Sequence, residues 1–455
     1  MTSGKHFDLI VIGSGSAASA CWFNARRLGK SVAVFEGDVL GGECPTSACI
    51  PTKALLQCAE VFETVLNAGQ FGVQGGGQPW FEYAAIKERK DYIVSQTIAS
   101  LGEAPYRDMG VEVIRHYARF TGPNEVEAGG ERYTAAKILI ATGARQRIPE
   151  IPGLAEAGYL TFKEAVDLEA VPGMIMILGG GAVGCEFTQL FATFEAGVVL
   201  LDRNQRLLHD EDPEVGALMQ ELFDKKGVGV LLETNALAVE IGDDGRKRVA
   251  IEREGREGQL IVDEILIATG KVPNTDLNLE AAGVKYNDNG IVVDDTLQTS
   301  NPNVYAAGDV VGPYLYTHAA SYQGEIAGHN LFADEKRHAD YRAMPRCVFT
   351  LPEVATVGLT EEQARAQGIN LRIGMTPIDV ADRSLTAEQF DGFVKVLADD
   401  SGRIVGASIV APRAGEMIQE LVLAISLGAT AEQVAMTIHA FPTYSEAVAA
   451  ACARV

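Results

Sequence analysis

Apolar runs that stop at glycine-rich turns define the N-terminal part of the sequence. Residues 7–12 are mostly apolar and lead into Gly13-Ser14-Gly15-Ser16-Ala17-Ala18, and good helix formers follow to about Leu28. A second apolar run, residues 31–35, ends at Glu36. Short apolar runs of this kind are typical of strands buried in a parallel sheet. The chain is therefore predicted to begin with a strand–helix–strand unit.

The same pattern returns in the middle of the chain. Residues 173–202 again contain an apolar run, a turn with the sequence Gly179-Gly180-Gly181-Ala182-Val183-Gly184, a helical pattern and a second apolar run that ends at Asp202. The repeat extends further, because the apolar run and Thr-Gly turn of residues 138–144 are echoed by residues 265–271. This duplication predicts two structurally similar halves.

Both glycine turns have the composition of a dinucleotide-binding site. Glycine lets the backbone approach a pyrophosphate at the N-terminus of a helix, and an acid at the end of the second strand binds a ribose. In each half the acid follows the first glycine by 23 residues. The candidate nucleotide-binding residues are Gly13, Gly15, Ser16, Ala17 and Glu36 in the first half, and Gly179, Gly181, Gly184 and Asp202 in the second.

A further candidate, Asp309, follows the second repeat. It stands at the end of the apolar sequence Val304-Tyr305-Ala306-Ala307-Gly308. Ligands of open α/β sheets bind outside the carboxyl ends of the strands, so Asp309 is a candidate for binding the polyol chain of a flavin. The alternative is a helix N-cap with no ligand.

The last part of the chain changes character. Its pattern predicts strands and helices without a glycine fingerprint, and therefore an α+β domain that binds no nucleotide of its own. The predicted strands lie in residues 342–358, 372–375, 392–398 and 404–410, and the predicted helices in residues 361–367 and 415–427. The predicted fold class is α/β, with two Rossmann-like dinucleotide-binding domains and a C-terminal α+β domain.

Composition narrows the function classes. The chain has 38 Lys and Arg against 61 Asp and Glu, a net charge of −23 over 455 residues. Such an acidic chain is a poor match for nucleic acid or an anionic membrane surface. The sequence contains no apolar run of the roughly 18 residues that a membrane span needs, so we expect a cytoplasmic protein with no membrane partner.

Two of the seven cysteines lie five positions apart, Cys44 and Cys49, between a glycine pair and Lys53. A disulfide between them would close a very small loop and so stabilise the fold little. We interpret the pair as a redox-active disulfide. Buried free thiols are the alternative, because an odd number of cysteines in a long chain is typical of a reducing compartment.

At this point the chain resembles the pyridine nucleotide-disulfide oxidoreductases, which include dihydrolipoamide dehydrogenase, glutathione reductase and mercuric reductase. The resemblance covers essentially the whole chain. It rests on the segment from Gly41 to Lys53, on both glycine repeats, on Ala306-Ala307-Gly308-Asp309 and on residues 349–358.

The resemblance implies FAD at the first repeat, a nicotinamide nucleotide at the second and a homodimer formed by the C-terminal domain. Each active site would be completed by the partner subunit and would reduce a small-molecule acceptor. The predicted domains are residues 1–149 and 271–340 for FAD, 150–270 for NAD(P) and 341–455 for dimerisation. No resident metal is predicted.

The resemblance also implies roles for individual residues. Cys49 matches the sulfur next to the flavin and Cys44 the sulfur that faces the substrate. Lys53 should approach the flavin, and Glu186 matches the acid that pairs with this lysine in the family. The cofactor-binding residues are predicted to include Gly42, Thr142, Gly143 and Gly270.

The preference between the two nicotinamide nucleotides is predicted from Asp202. A carboxylate at this position accepts hydrogen bonds from ribose hydroxyls and repels a 2′-phosphate, which favours NAD(H) over NADP(H). The neighbouring Arg203 and Arg206 weaken the prediction of NAD(H), since arginine can hold a 2′-phosphate.

The C-terminal segment departs from the family pattern. Dihydrolipoamide dehydrogenase and glutathione reductase carry an acid-base histidine before the Pro-Thr pair, held by a glutamate five residues later. This chain has Phe441 at the histidine position, retains the glutamate as Glu446, and has His439 two residues too early. Loss of a general acid-base costs about 10²–10⁴-fold in rate, so ordinary disulfide reduction is in doubt.

Two relatives offer interpretations of this departure. Mercuric reductase has tyrosine at the position of Phe441 and uses cysteines near its C-terminus, where this chain has Cys452. The ketopropyl-coenzyme M carboxylating reductase has phenylalanine there, but carries histidine where this chain has Glu446.

The leading hypothesis is an FAD-dependent NAD(P)H oxidoreductase that passes electrons through Cys44 and Cys49 to an acceptor other than a proton-demanding disulfide. Such an acceptor is a metal ion, a quinone-like compound or a thioether-linked small molecule. The alternatives are a dihydrolipoamide dehydrogenase that uses His439, and a slow flavin-based redox sensor.

Overall fold

The computed structural model of the chain describes residues 5–75 and 78–455. Its strands are β1 Lys5–Ile12, β2 Val32–Phe35, β3 Val111–Ile114, β4 Arg119–Gly122, β5 Glu125–Ala128, β6 Glu131–Ile140, β7 Ala144–Gln146, β8 Met174–Leu178, β9 Gly197–Leu201, β10 Gly229–Leu231, β11 Thr234–Ile241, β12 Lys247–Arg253, β13 Arg256–Val262, β14 Glu264–Ile267, β15 Lys271–Pro273, β16 Tyr286–Asn287, β17 Gly290–Ile291, β18 Val304–Ala306, β19 Pro345–Val348, β20 Glu353–Gly358, β21 Arg372–Pro377, β22 Phe393–Ala398 and β23 Ile404–Ala411.

Its α-helices are α1 Ser16–Arg27, α2 Glu43–Thr46, α3 Cys49–Leu66, α4 Tyr83–Ala99, α5 Glu103–Asp108, α6 Leu154–Ala157, α7 Phe162–Ala165, α8 Ala182–Thr193, α9 Pro213–Lys225, α10 Leu279–Ala282, α11 Thr317–Asn330, α12 Glu361–Ala366, α13 Asp382–Ala387, α14 Ala414–Leu427, α15 Ala431–Ala435 and α16 Glu446–Cys452. Short 3₁₀ helices span Ala68–Phe71, Asp309–Val311 and Ile378–Val380. Across the described ranges, none of these helices combines the length and the apolar composition needed to cross a membrane.

The chain forms two compact units. The first contains the residues up to Ala54, Lys87–Arg147 and Gly270–Asp340. Its main sheet has the order β3-β2-β1-β6-β5-β4, and β18 also pairs with β6. Strands β3, β2, β1, β6 and β18 run parallel, whereas β4 and β5 form an antiparallel extension. This is the arrangement that the alternating strand and helix pattern predicts.

Small residues bring helices α1 and α11 of the first unit close together. A Cβ atom built on Gly324 would lie 2.2 Å from the carbonyl oxygen of Ala17, and one on Gly328 would lie 2.9 Å from the Cα of Cys21. Both distances are shorter than van der Waals contact, so glycine is required at both positions. The close packing fixes helix α1, whose N-terminus follows the first glycine turn.

The second unit contains Leu55–Ile86, Ile148–Thr269 and Tyr341–Val455. It has a parallel sheet of order β10-β9-β8-β14 and an antiparallel sheet of order β11-β12-β13. Its C-terminal part is an antiparallel sheet of order β19-β20-β23-β22-β21, against which α14 and α16 pack. The predicted fold class is confirmed, while the predicted domain boundaries stay a prediction.

The expectation of strand structure throughout residues 342–358 needs a correction. The segment forms two antiparallel strands, β19 and β20, with a turn between them. Pro352 has no backbone N–H to donate, and the hydroxyl of Thr350 donates to the carbonyl oxygen of Pro352 at 2.8 Å. A proline inside an apolar run is a signal for such a break.

Candidate functional site

The first glycine turn of the first unit packs tightly against neighbouring backbone at Gly13. Gly13 has φ +102°, and a Cβ atom on it would lie 2.2 Å from the carbonyl oxygen of Ala141. A Cβ atom on Gly42 would lie 2.9 Å from the Cα of Gly15. Two glycine segments therefore meet backbone to backbone beside the start of α1.

The N-terminus of α1 is open to an anion. Its N-cap is Gly15, and no described side chain caps the helix there. The backbone N–H groups of the first turn, at Ser16 and Ala17, are among those that an α-helix leaves without intrahelical partners. A pyrophosphate would satisfy such groups and interact favourably with the helix dipole. The bare turn and the open helix end fit the diphosphate of FAD.

Glu36 lies directly after β2, at the carboxyl end of the parallel strands. Its Oε2 accepts a hydrogen bond from the Ser14 hydroxyl at 2.7 Å, and its Oε1 accepts one from the backbone N–H of Asp38 at 2.9 Å. The Ser14 hydroxyl in turn accepts from the backbone N–H of Gly41 at 3.0 Å. Ser14 thus links the acid to the glycine segment before the cysteines.

Asp309 begins a 3₁₀ turn just after β18 and forms an ion pair. The Nζ of Lys271 lies 3.3 Å from Asp309 Oδ2 and 3.2 Å from Glu43 Oε2. Burial alone would lower the pKa of Lys271, but the charges of Asp309 and Glu43 outweigh it and raise that pKa. Lys271 therefore carries a positive charge near the cysteine segment.

Sequence reasoning did not select Lys271 as a site residue. The available signal was its place in the repeat, directly after the Thr269-Gly270 turn, where the first half has Ala144. Gly270 and Gly143 both have positive φ, at +90° and +66°. The hydroxyl of Thr142 donates to the carbonyl oxygen of Asn274 at 2.8 Å, which ties the Thr-Gly turn of the first half to the end of β15.

Cys49 is the first residue of helix α3, and Cys44 lies in the short helix α2. Both are thiols in the structure. The sulfur of Cys49 lies 3.4 Å from the hydroxyl oxygen of Thr317, at the start of α11. Thr317 was not selected from the sequence, because it lies 268 positions away in a segment with no recognisable motif.

The two thiols differ in acidity. A hydrogen bond from Cys44 stabilises the Cys49 thiolate and, with help from Thr317, Lys53 and Lys271, lowers the pKa of Cys49 to about 6, against the opposing effect of burial. The same hydrogen bond, together with burial, raises the pKa of Cys44. At neutral pH the pair therefore holds one thiolate, at Cys49, and one proton, at Cys44.

The second glycine turn, in the second unit, repeats the geometry of the first. Gly179 has φ +116°, and its Cβ atom would lie 2.5 Å from the carbonyl oxygen of Ala268. A Cβ atom on Gly184 would lie 1.8 Å from the carbonyl oxygen of Gly179. Helix α8 begins after Gly181, and within the described part of the chain no side chain caps it. This turn also fits a dinucleotide diphosphate.

Asp202 follows β9 and is buried. Its Oδ2 accepts from the backbone N–H of Gly180, and its Oδ1 accepts from the backbone N–H of Asn204 at 2.8 Å. The carboxylate is therefore fixed beside the glycine turn. Arg206 donates to the carbonyl oxygen of His209 at 3.0 Å and lies 3.6 Å from the carboxylate of Glu362.

Glu186 is buried in α8, and its Oε1 accepts from the backbone N–H of Phe349 at 3.0 Å. Lys53 lies on α3, one turn after Cys49. The two residues belong to different units, and their pairing stays a prediction.

The C-terminal segment gives its polar residues local partners. Phe441 is 72% exposed. Glu446 Oε1 accepts from the backbone N–H of Thr443 at 2.8 Å, at the start of α16. Phenylalanine carries no ionisable proton, and the retained glutamate holds the backbone of its own loop.

His439 is held away from this glutamate. Its Nε2 lies 2.9 Å from Glu420 Oε1, and its Nδ1 lies 2.8 Å from the carbonyl oxygen of Thr437. Both partners offer acceptor oxygens, so each ring nitrogen of His439 faces an acceptor. With only 10% of its side chain exposed, His439 has the surroundings of a structural contact with Glu420.

Cys452 is buried at the end of α16. Burial, with a contribution from the charge of Glu420, raises the pKa of its thiol to about 12. A buried thiol of this kind has little thiolate to offer a metal ion.

Comparison with known proteins gives matches over nearly the whole chain. The family profile described as pyridine nucleotide-disulphide oxidoreductase matches residues 7–324, and the profile of that family's dimerisation domain matches residues 344–452.

Two groups of relatives occur among the matches. A mercuric reductase of Staphylococcus aureus is 34% identical over 448 residues, which cover 97% of this chain and 81% of that protein. A dihydrolipoyl dehydrogenase of Thermus scotoductus is 35% identical over 447 residues, which cover 97% of this chain and 96% of that protein. Among solved structures, the Cu(II) complex of the HOCl-induced flavoprotein disulfide reductase RclA from Escherichia coli has a TM-score of 0.88 and 27% identity, and covers 99% of both chains.

Proposed function

The chain belongs to the pyridine nucleotide-disulphide oxidoreductase family, and from this premise we propose that it uses NAD(P)H, FAD and the pair Cys44 and Cys49 to reduce a thiophilic metal ion. The family consists of oxidoreductases, and the dimerisation domain supports a homodimer. The observation that carries the proposal is the combination of a polarised thiol pair with Phe441 in place of a proton donor.

In the proposed reaction the metal ion takes up electrons but no proton, so no proton donor is needed beside it. A hydride equivalent from NADH opens the Cys44–Cys49 disulfide to one thiolate and one thiol. Two Cu(II) ions, or one Hg(II) ion, then take two electrons from this pair, which closes the disulfide and releases the thiol proton to solvent. The sum is NADH and two Cu(II) to NAD⁺, H⁺ and two Cu(I). A disulfide acceptor, by contrast, must itself gain protons to leave as thiols.

FAD, when bound, supplies the two-electron carrier between the hydride donor and the disulfide. The chain's own groups bind the cofactor and polarise the thiol pair. The open turn at Gly13 and Gly15 receives the diphosphate of FAD, and Glu36 binds its ribose. Lys271 and Thr317 stabilise the thiolate of Cys49. Cys44 is left as the sulfur that meets the acceptor.

Names of the relatives support a metal ion as the acceptor. One relative is a mercuric reductase, and the flavoprotein RclA has been solved as a Cu(II) complex. Thiolates are the ligands that soft metal ions prefer. We further propose that Phe441 of one subunit faces the thiol pair of the other, as the family's dimer implies.

For the nucleotide we propose NADH. Asp202 is a fixed, buried carboxylate at the position of the adenosine ribose, where a 2′-phosphate would be repelled. The guanidinium of Arg206 donates to the carbonyl of His209 and lies 3.6 Å from Glu362, and both compete with a phosphate for it.

Steady-state NADH oxidation with a panel of acceptors tests the proposal. Hg(II) buffered by excess low-molecular-weight thiol, and Cu(II) buffered by a thiol-free chelator such as glycine, should each give turnover well above lipoamide, glutathione disulfide and quinones. Cys49→Ser should lose metal-dependent turnover by more than about 10³-fold, the scale on which removal of a reacting nucleophile acts. Turnover with lipoamide that exceeds turnover with both metals would contradict the metal-ion proposal.

A dihydrolipoamide-type activity is the second candidate. The observation that favours it is the His439–Glu420 pair, which has the composition of an acid-base dyad. The geometry weighs against it, because both ring nitrogens of His439 already face acceptors.

A further inference from the structure

A buried network joins the C-terminal part of the second unit to the segment that follows Asp202. The guanidinium of Arg346, on β19, donates two hydrogen bonds of 2.9 Å to the carboxylate of Glu211. This fork-to-fork geometry is the strongest form of an Arg–carboxylate pair. Both side chains are largely buried, with 18% and 9% exposed. The pair fixes one end of the segment of residues 203–212.

Asp212, the residue after Glu211, belongs to a second buried group of charged side chains. Lys395, on β22, is 1% exposed, and its Nζ lies 3.7 Å from Asp212, 3.0 Å from Glu214 and 2.8 Å from Glu361. Asp212 also accepts from the Ser408 hydroxyl at 3.0 Å. Buried charges are costly unless they are fully paired, so such a network is better explained by positioning than by stability alone.

The segment between Asp202 and this network folds back on the glycine turn. The backbone N–H of Leu208 donates to the carbonyl oxygen of Gly180 at 2.9 Å. Leu207 packs over the same glycine, since a Cβ atom on Gly180 would lie 2.7 Å from its side chain. Gly180 N–H is bonded to Asp202. The turn, the acid and the segment therefore form one connected structure.

The segment is also strained. Leu208 has φ +47°, a conformation that residues with a branched side chain rarely adopt. Strained backbone persists only where the surrounding contacts hold it. The contacts that hold it include the ion pairs of Glu211 and Asp212 on one side and Gly180 on the other.

We propose that Arg346 and Lys395 are positioning residues for the nicotinamide nucleotide. They act through Glu211 and Asp212, and hold residues 203–212 so that Gly180 and Asp202 are preorganised for the diphosphate and the adenosine ribose. The proposal rests on the proposed function in one respect, that the second glycine turn binds NAD(P)H. It assigns a role in nucleotide binding to residues of the dimerisation domain.

The test uses a matched pair of variants. Arg346→Met alone leaves Glu211 as an unpaired buried carboxylate and can impair folding, so the working variant is Arg346→Met with Glu211→Met, which removes both charges. The control is Lys247→Met with Glu264→Met, an ion pair on β12 and β14 of the same unit. Arg346→Lys keeps the charge and should give an intermediate effect.

Binding of ADP-ribose to the oxidised enzyme, measured by titration calorimetry, is the first readout, because ADP-ribose cannot reduce the flavin. We expect the double variant to weaken binding about 5- to 20-fold, within the range usual for coupling between sites. The KM for NADH should rise by a similar factor, while kcat with ferricyanide as acceptor changes less than about twofold, as expected when uniform binding is lost. Amide hydrogen exchange should accelerate in residues 203–212.

Each outcome decides something. Unchanged ADP-ribose affinity and KM in the double variant would overturn the positioning role, and so would an equal loss in the control. Wild-type protein that does not bind ADP-ribose would overturn both this role and the nucleotide part of the proposed function. Failure to reduce metal ions, with ADP-ribose binding intact, counts against the proposed acceptor alone.

Discussion

The segment around Cys49 and the segment around Phe441 offer very different groups to a substrate. At Cys49 a hydrogen bond from Cys44, the hydroxyl of Thr317 and nearby lysines combine to stabilise a thiolate. At Phe441 the exposed side chain is apolar, and the nearby His439 and Glu446 are bonded elsewhere.

The difference separates electron delivery from proton delivery. A disulfide that takes up a hydride equivalent becomes a thiolate beside a thiol, and this reduced pair can pass on two electrons. Reduction of a disulfide also needs protons at the acceptor, and near Phe441 the side chains of His439 and Glu446 are hydrogen-bonded to other groups. Reduction of a metal ion needs none. The contrast between the two segments therefore concerns which acceptor is reduced. It does not concern the choice of nucleotide or flavin.

Restoring a proton donor should change the acceptor preference most. Phe441→His places an imidazole before Pro442, five residues from Glu446. We expect turnover with lipoamide to rise by up to about 10²-fold, the lower end of what a general acid-base supplies. Steady-state NADH oxidation with lipoamide and with Cu(II) measures the change, and turnover with Cu(II) should stay the same or fall.

The matched control is Phe441→His with Glu446→Gln. Glu446 bonds the backbone N–H of Thr443, which glutamine can replace by its carbonyl oxygen, so the fold of the loop is kept while the charge is lost. Most of the gain should disappear. A gain in lipoamide turnover that is equal in both variants would show that the histidine acts without its carboxylate, and no gain in either would argue that protons do not limit this enzyme.

The thiol pair can be tested by pH. Above its pKa of about 6 Cys49 is a thiolate, so its alkylation by iodoacetamide should be fast at pH 7 and fall tenfold per unit below pH 6. Cys44→Ala removes the main cause of the lowered pKa. The midpoint of the alkylation profile should then move upward, with a loss of about tenfold in rate at pH 7.

The tryptic peptide of residues 31–53 contains both Cys44 and Cys49, so its fragmentation by tandem mass spectrometry is used to locate the label on Cys49. Thr317→Val is the weaker companion variant, because Thr317 makes a smaller contribution than Cys44 to the lowered pKa. An alkylation profile centred near pH 9 in the wild type, or one that Cys44→Ala does not shift, would show that Cys44 does not stabilise the Cys49 thiolate. The contrast between the segments around Cys49 and Phe441 would then lose its electrostatic basis.

Much of the architecture could be predicted from local sequence. The glycine turns at Gly13 and Gly179 need positive φ and close backbone approach, and both requirements leave a signature within a few residues. Such features depend on residues that are neighbours in the sequence, which is why periodicity and turn chemistry reveal them.

The partners that tune the site could not be predicted in the same way. Thr317 reaches Cys49 across 268 positions, and His439, in the loop after α15, pairs with Glu420 on α14. The bonds from Arg346 to Glu211 join strand β19 to a loop 135 positions away. These contacts follow from tertiary packing. A single residue on a helix or strand has no local sequence pattern that would predict its distant partner.

His439→Ala gives the smallest expected effect and the sharpest separation of the two candidate functions. If His439 is a structural partner of Glu420, its loss should leave turnover with lipoamide and with Cu(II) within about threefold of the wild type, because no acid-base step is removed. The folded state should instead lose about 1 kcal/mol, since Glu420 keeps a desolvated carboxylate without its partner, and 30% exposure of that side chain holds the loss at the lower end of the usual range. Thermal unfolding followed by flavin fluorescence measures the second effect. Glu420→Gln should destabilise similarly, because the bond to Nε2 loses its charge. A fall of tenfold or more in lipoamide turnover at unchanged stability would instead identify His439 as the proton donor, and the two segments would then be partners in disulfide chemistry after all.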